Sequence, residues 1–247
     1  MTRRNILSCL YVACVLVASF SCQDTEEHAP LSKGDLFGAI MMFDEFGNQL
    51  PNREGVEVVV EGSDPLLQTI TDANGKFLIQ DLPMGTYNIS FEKAGFQSRV
   101  VYSYPFVGGS VPTYFSQSVY LSQLSSTVIT NFSIEVTEDG NPDPSRYTML
   151  KVEHLTDPPS TSDKPRRVTA YISATSNVSV DAYEYQLNLS TGGSDLIRID
   201  KLPEGTTWYG IAYPEPAYCN PYYNPFEEKY VYSCLGSPAD VISFDVP

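Results

Sequence analysis

The chain has 247 residues, with 42% hydrophobic and 18% charged residues, enough apolar material to pack the core of one or two domains. Its formal net charge is −15. That excludes nucleic acid as a partner, because such affinity comes from Lys and Arg neutralising phosphates, and the one basic cluster is Lys164 to Arg167. Aromatic residues reach 12%, with 17 Tyr, 12 Phe and one Trp, beside 18 Pro and 16 Gly. This composition favours many short strands between turns.

The first 21 residues form an address. Arg3 and Arg4 lead an apolar run that is short for a membrane span, and small residues precede Cys22. This resembles a bacterial lipoprotein signal of the kind frequent in Bacteroidota, with Ser21 as the small residue before the cysteine. Phe20 and Ser19 depart from the commoner Leu-Ala pair. The resemblance implies cleavage before Cys22 and diacylglycerol on its thiol. Losing Arg3 and Arg4, with no acid among those residues, takes the charge from −15 to −17. Residues 22–33 then read as an acidic tether. Asp24, Glu26 and Glu27 resemble the export signal that sends such lipoproteins to the outer face of the outer membrane, and a merely solvated stalk is the alternative. The expected membrane partner is thus reached through a lipid anchor.

Alternation begins after the tether. "GDLFGAIMMFD" reads as a strand, and "VEVVVEG" as another with Val56, Val58 and Val60 on one face. "LQTITDANGKFLI" reads as a hairpin turning at Asp72 to Gly75. "TYNISFEKAGF", "SRVVYSY" and "TYFSQSVYL" follow, about seven strands in all. A break at "SQLSS" sets the domains at 34–123 and 124–247. The second half supplies strand candidates "VITNFSIEV", "YTMLKVEHL", "RRVTAYISA", "YEYQLNLS", "DLIRIDKL", "TTWYGIAYP", "KYVYSC" and "VISFDV". Evenly spaced short strands predict an all-β chain of two tandem β-sandwiches.

One phrase occurs twice: Leu-Pro-x-Gly-Thr at Leu82 to Thr86 and at Leu202 to Thr206. Pro presets φ, Gly permits a bend and Thr opens the next strand, so the phrase is scaffold, with Leu82 and Leu202 as apolar plugs. Gly85 is expected at positive φ. The stretch Thr71 to Phe96 resembles the carboxypeptidase regulatory-like domain of the transthyretin-like superfamily. The matching residues are Thr71, Asp72, Gly75, Phe77, Leu82, Gly85, Tyr87, Gly95 and Phe96. That resemblance implies a seven-stranded sandwich without catalytic residues. The second half looks like an immunoglobulin or fibronectin type III sandwich. The tandem plan resembles two-domain surface lipoproteins of Bacteroidota and fimbrial subunits of that group.

No nucleophile elbow, zinc-protease helix or cofactor motif is present, so no catalytic residue, metal or cofactor is assigned. His154 reads as structural, and Asp139, Asn141 and Asp143 as a turn, with a weak ion site as the alternative. Of the five cysteines, Cys9 and Cys14 fall in the expected signal, and the lipoprotein resemblance assigns Cys22 to lipid. Cys219 and Cys234 remain as an even pair in an oxidising compartment, where a disulfide would contribute roughly 3 kcal/mol. The segment they close is Pro-rich and aromatic. Tyr218, Tyr222, Tyr223 and Phe226 are the candidate contact residues for a glycan or surface protein. The same rings folded down over their own domain are the alternative. Trp208 or Tyr209, and Tyr230 or Tyr232, are expected in the core. The predicted function is therefore a non-catalytic outer-membrane surface lipoprotein for binding, adhesion or assembly, with glycan as one expected ligand class. A fimbrial subunit and a glycosidase or peptidase with a carboxylate pair are the competing classes.

Overall fold

A computed structural model describes residues 32–247. The signal, most of the tether, Cys9, Cys14, Cys22 and His28 lie outside the described residues. No helix is assigned among the described residues; the structure is all-β, with several open sheets.

The first sandwich sets two sheets face to face. One contains β1 (Lys33–Phe43) flanked by antiparallel β4 (Lys76–Pro83) and by two short parallel strands, β7 (Thr113–Tyr114) and β8 (Val119–Ser122). The other has the order β3-β2-β5-β6, from β2 (Glu57–Glu61), β3 (Leu67–Ile70), β5 (Gly85–Glu92) and β6 (Arg99–Phe106). Inward positions recur every second residue, as a pleated strand demands. Leu36, Ile40 and Met42 of the first sheet meet Val58, Val60, Ile89 and Phe91 of the second, all with zero exposure. Val56 joins them, as its alternation predicts.

One expected pairing and one expected strand differ. Leu67 to Ile79 is no hairpin: β3 pairs with β2 and β4 with β1, so Asp72 to Gly75 turns a corner between opposed sheets. The Asp72 carboxylate accepts from the amides of Asn74 and Lys76, both at 2.8 Å, which stabilises the bend without choosing a partner for either strand. Thr71 ties that corner to the sheet, donating to the Arg53 carbonyl and accepting from the Val56 amide. The single strand expected over "TYFSQSVYL" is interrupted at Phe115. That ring turns into the core against Phe77, Phe91 and Tyr104, at 4.8–5.8 Å between centroids.

The second sandwich sets β13-β10-β9 against β12-β11-β14-β17. These strands are β9 (Val128–Thr137), β10 (Tyr147–Asp157), β11 (Arg167–Ser173), β12 (Tyr185–Asn188), β13 (Ser194–Asp200), β14 (Thr207–Glu215) and β17 (Ile242–Asp245). Leu150, Val152, Ala170, Ile172, Trp208 and Phe244 fill the space between them. Trp208 is buried as expected, and Tyr230 is exposed while Tyr232 is half-buried. Both faces of β11 are covered. Val168, Ala170 and Ile172 face the main core, and Tyr171 packs with Val178, Ile211 and Tyr213 in a second cluster that includes Leu235.

The repeated phrase plays two structural parts. Both leucines are plugs, Leu82 and Leu202 being almost fully buried. Gly205 has φ +71°, but Gly85 does not adopt positive φ, against expectation. A Cβ at Gly85 would come 2.9 Å from the Tyr87 ring, whose hydroxyl donates to the Pro83 carbonyl at 2.9 Å. The glycine makes room for that ring.

Candidate functional site

Cys219 and Cys234 form a disulfide, with Cα atoms 5.3 Å apart. Cys234 is fully buried. The segment between them is a small hairpin: β15 (Tyr222–Asn224) pairs with β16 (Lys229–Val231). Two adjacent tyrosines in a strand must face opposite ways, and this decides their roles. Tyr222 turns inward, 8% exposed, with the Arg99 guanidinium 5.4 Å from its ring centroid and Tyr102 packed at 6.3 Å. Tyr223 faces solvent and meets Tyr230 across the hairpin at 5.5 Å, edge to face. Asn224 turns back in, and its side-chain oxygen accepts from the Phe226 amide at 3.0 Å, closing the turn. Phe226 rests against Tyr102 at 5.6 Å yet stays 70% exposed.

The hairpin is therefore carried by the second sandwich and seated on β6 of the first. Arg99 reaches the Pro221 carbonyl, and the Ser233 hydroxyl donates to the Ser98 carbonyl at 2.7 Å. Burial beside Tyr222 pulls the Arg99 pKa down from the usual guanidinium value. Tyr218, just before the disulfide, lies apart from the hairpin. Its ring packs edge-on against Phe43 at 5.1 Å, and its carbonyl accepts from Ser122 Oγ at 2.7 Å. The four candidate residues thus divide: Tyr218 at the end of β1, Tyr222 inward, and Tyr223 and Phe226 outward. Tyr230 completes the outward group, although its sequence position suited the core equally well.

An ion pair closes the seam between the sandwiches. Arg166 Nη1 donates to Glu45 Oε2 at 2.9 Å, with the two side chains 7% and 11% exposed. The Ser126 amide and hydroxyl also donate to this carboxylate, at 2.8 and 2.7 Å, and the guanidinium lies 4.8 Å from the Phe46 ring centroid.

His154 sits on the inward row of β10 with Val152 and Leu150, 3% exposed, and its Nδ1 has no partner. Burial pushes its pKa below the ordinary histidine value, against a smaller upward pull from Asp195. Among the described residues no nucleophile is hydrogen-bonded to its imidazole. Asp143 accepts from the Ser145 amide and hydroxyl, and Asn141 from the Asp143 amide, the pattern of a side-chain-stabilised turn. No group of three or more His, Cys, Asp or Glu with metal-holding geometry occurs among the described residues.

No family profile and no characterised protein matches the chain in sequence. Solved structures do resemble it. A DUF3823 family protein from Bacteroides ovatus is 12% identical, over 87% of this chain and 100% of that one, with a TM-score of 0.29. BcpA, the major pilin subunit of Bacillus cereus, is 11% identical over 87% of this chain and 69% of that one, at 0.28. A type II cohesin–X-dockerin complex from Acetivibrio cellulolyticus is 18% identical over 36% of this chain, at 0.29. The chain spans 58% and 56% of the cohesin–dockerin chains it matches. Overlaps of this extent leave the functional assignment to the site itself.

Proposed function

We propose that this is a non-catalytic, lipid-anchored binding or adhesion protein of the outer-membrane surface. The observation that carries it is the stapled hairpin. Tyr223, Phe226 and Tyr230 project into solvent from a hairpin held by a disulfide behind and by β6 beneath. Rings that are ordered before contact lose little freedom on contact, and Tyr is among the residues that dominate binding interfaces. Such rings serve a glycan or a surface protein. The first sandwich is proposed to be of carboxypeptidase regulatory-like type, on the Thr71 to Phe96 pattern.

The test is capture of surface proteins from outer-membrane extract by the immobilised full chain. The double substitution Tyr223→Ala/Tyr230→Ala should abolish capture with an unchanged melting temperature, because both rings are half-exposed. Capture that survives the pair sinks the hairpin as contact element. Cys22→Ala should move the protein out of the outer-membrane fraction. Retention there would remove the lipid anchor from the proposal.

A further inference from the structure

At the junction of the two sandwiches lies an open cleft of about 460 Å³, lined by Phe43, Tyr120, Ala217, Tyr218, Cys219 and Asn220. It is built from three separate places: the last residue of β1, an outward residue of β8, and the segment that runs into the disulfide. Period-2 alternation puts Phe43 and Tyr120 on the same outer face of the sheet, since Met41 is the register partner of Tyr120 and Phe43 follows two residues later. Tyr218 arrives from the other sandwich. It is fixed by the Ser122 hydrogen bond to its carbonyl and by an Ala217 amide that donates to the Glu45 carbonyl at 2.9 Å. Its ring lies so close to Gly47 that a Cβ there would sit 3.0 Å away. The cleft is ordered before any ligand arrives.

The lining chooses its ligand by chemistry. The lining holds no Asp, Glu, Lys, Arg or His, in a chain whose net charge is −15. An anion would find no counter-charge in the lining, and a cation would find no carboxylate there. A purely apolar ligand would cover the tyrosine hydroxyls and the Asn220 amide without pairing them, which is costly. Three aromatic rings remain, tilted or edge-on to one another at 5.1 Å (Phe43 with Tyr218) and 6.1 Å (Phe43 with Tyr120). In an edge-on pair, the ring that presents its edge keeps both faces free of the other. Tyr120 and Tyr218 are 38% and 55% exposed.

We propose that this cleft binds one pyranose ring or a pair of them within a neutral glycan. Sugar C–H faces would lie on the rings of Tyr120 and Tyr218, and sugar hydroxyls would pair with Asn220 and the tyrosine hydroxyls. The volume falls in the ordinary range for small-ligand sites, and the open mouth lets a longer chain run out at either side. The assignment rests on the proposal of a non-catalytic binding protein. It places a specific subsite away from the hairpin.

The experiment is calorimetric titration of the full chain in detergent with neutral gluco-, manno-, galacto- and xylo-tetrasaccharides, and with tetragalacturonate as the charged comparison. At least one neutral series should bind, more tightly than the uronate. Tyr120→Ala and Tyr218→Ala should each weaken it by about tenfold or more, the usual loss on removing an anchoring ring. Tyr120→Phe should stay within about threefold of the parent if the ring face supplies most of the contact. Asn220→Ala, which removes no ring, should weaken binding with an unchanged melting temperature, and it decides the matter if Tyr218→Ala fails to fold. Binding undiminished in folded Tyr120→Ala and Asn220→Ala overturns the assignment. So does preference for the uronate, or silence from every neutral series. If Tyr223→Ala/Tyr230→Ala abolishes tetrasaccharide binding instead, the cleft is wrong while the binding protein stands. If the parent captures no partner through the hairpin while the cleft variants lose sugar, the cleft stands and the hairpin falls as a contact element.

Discussion

Replacing Glu45 by Gln should loosen the whole molecule, although it removes only a charge. Glu45 follows β1 in the first sandwich and Arg166 immediately precedes β11 in the second, 121 residues apart. The amide keeps the shape of the carboxylate and one acceptor, so Ser126 retains a partner. The Arg166 guanidinium keeps the Ser126 and Thr127 hydroxyls as acceptors, at 3.2 and 3.3 Å, but it stays buried, with Nε already unpartnered, and loses its counter-charge. Removing one member of a buried pair typically costs 3–5 kcal/mol, and the surviving amide oxygen argues for the low end, about 3 kcal/mol. For a chain of this size that corresponds to a fall of about 6–12 °C in Tm. Trp208 is the sole tryptophan and lies in the second core, so its fluorescence follows that sandwich alone, while circular dichroism follows both. The two transitions should coincide in the parent and separate in Glu45→Gln. The pair should also act as an acid-sensitive clasp. Burial by itself would raise the Glu45 pKa, but hydrogen bonds from Ser126 and the charge of Arg166 outweigh it and hold the value low. A folded-state pKa below the unfolded one gives stability that is present above about pH 4.3 and lost as pH falls through the folded value. Glu45→Gln should flatten that acid limb. A Tm within about 1 °C of the parent, with coincident probes, would refute a net contribution from the pair.

The two glycines of the repeated phrase should respond differently to alanine. Gly205→Ala should cost about 1–2 kcal/mol from backbone strain at φ +71°, whatever surrounds it. Gly85→Ala should cost about 1–2 kcal/mol through displacement of the Tyr87 ring and loss of its bond to Pro83. The Gly85 cost should shrink in a Tyr87→Leu background, and denaturant midpoints that add without coupling would rule out the steric explanation. For His154, the depressed pKa means that the unfolded chain binds the proton first. Its contribution to stability is whole above about pH 6.5 and falls as pH drops towards the folded value. His154→Gln should remove that slope from the stability profile; a slope identical to the parent's would place it on other groups.

Alternation along single strands was legible in the sequence because burial on a pleated sheet has a period of two. Val56, Val58 and Val60 needed no tertiary information, and neither did Leu82 and Leu202 as plugs. The cysteine pair was legible by elimination. Pairing was not. The turn residues at Asp72 to Gly75 specify a bend, and a bend serves a hairpin or a corner between sheets equally well. Gly85 and Gly205 share a phrase but not a conformation, because the reason for Gly85 is a ring that folds back upon it. The aromatic segment shows the same division most sharply. Its composition marks an abundance of rings between Tyr218 and Tyr232. Which of them point outward depends on a three-residue strand too short to show a period, and on Arg99 and Tyr102 of a sandwich more than a hundred residues earlier in the chain. Contacts between distant segments leave no local pattern, so the hairpin's seat, the Glu45–Arg166 seam and the cleft at Phe43, Tyr120 and Tyr218 exist only once the two sandwiches are packed together.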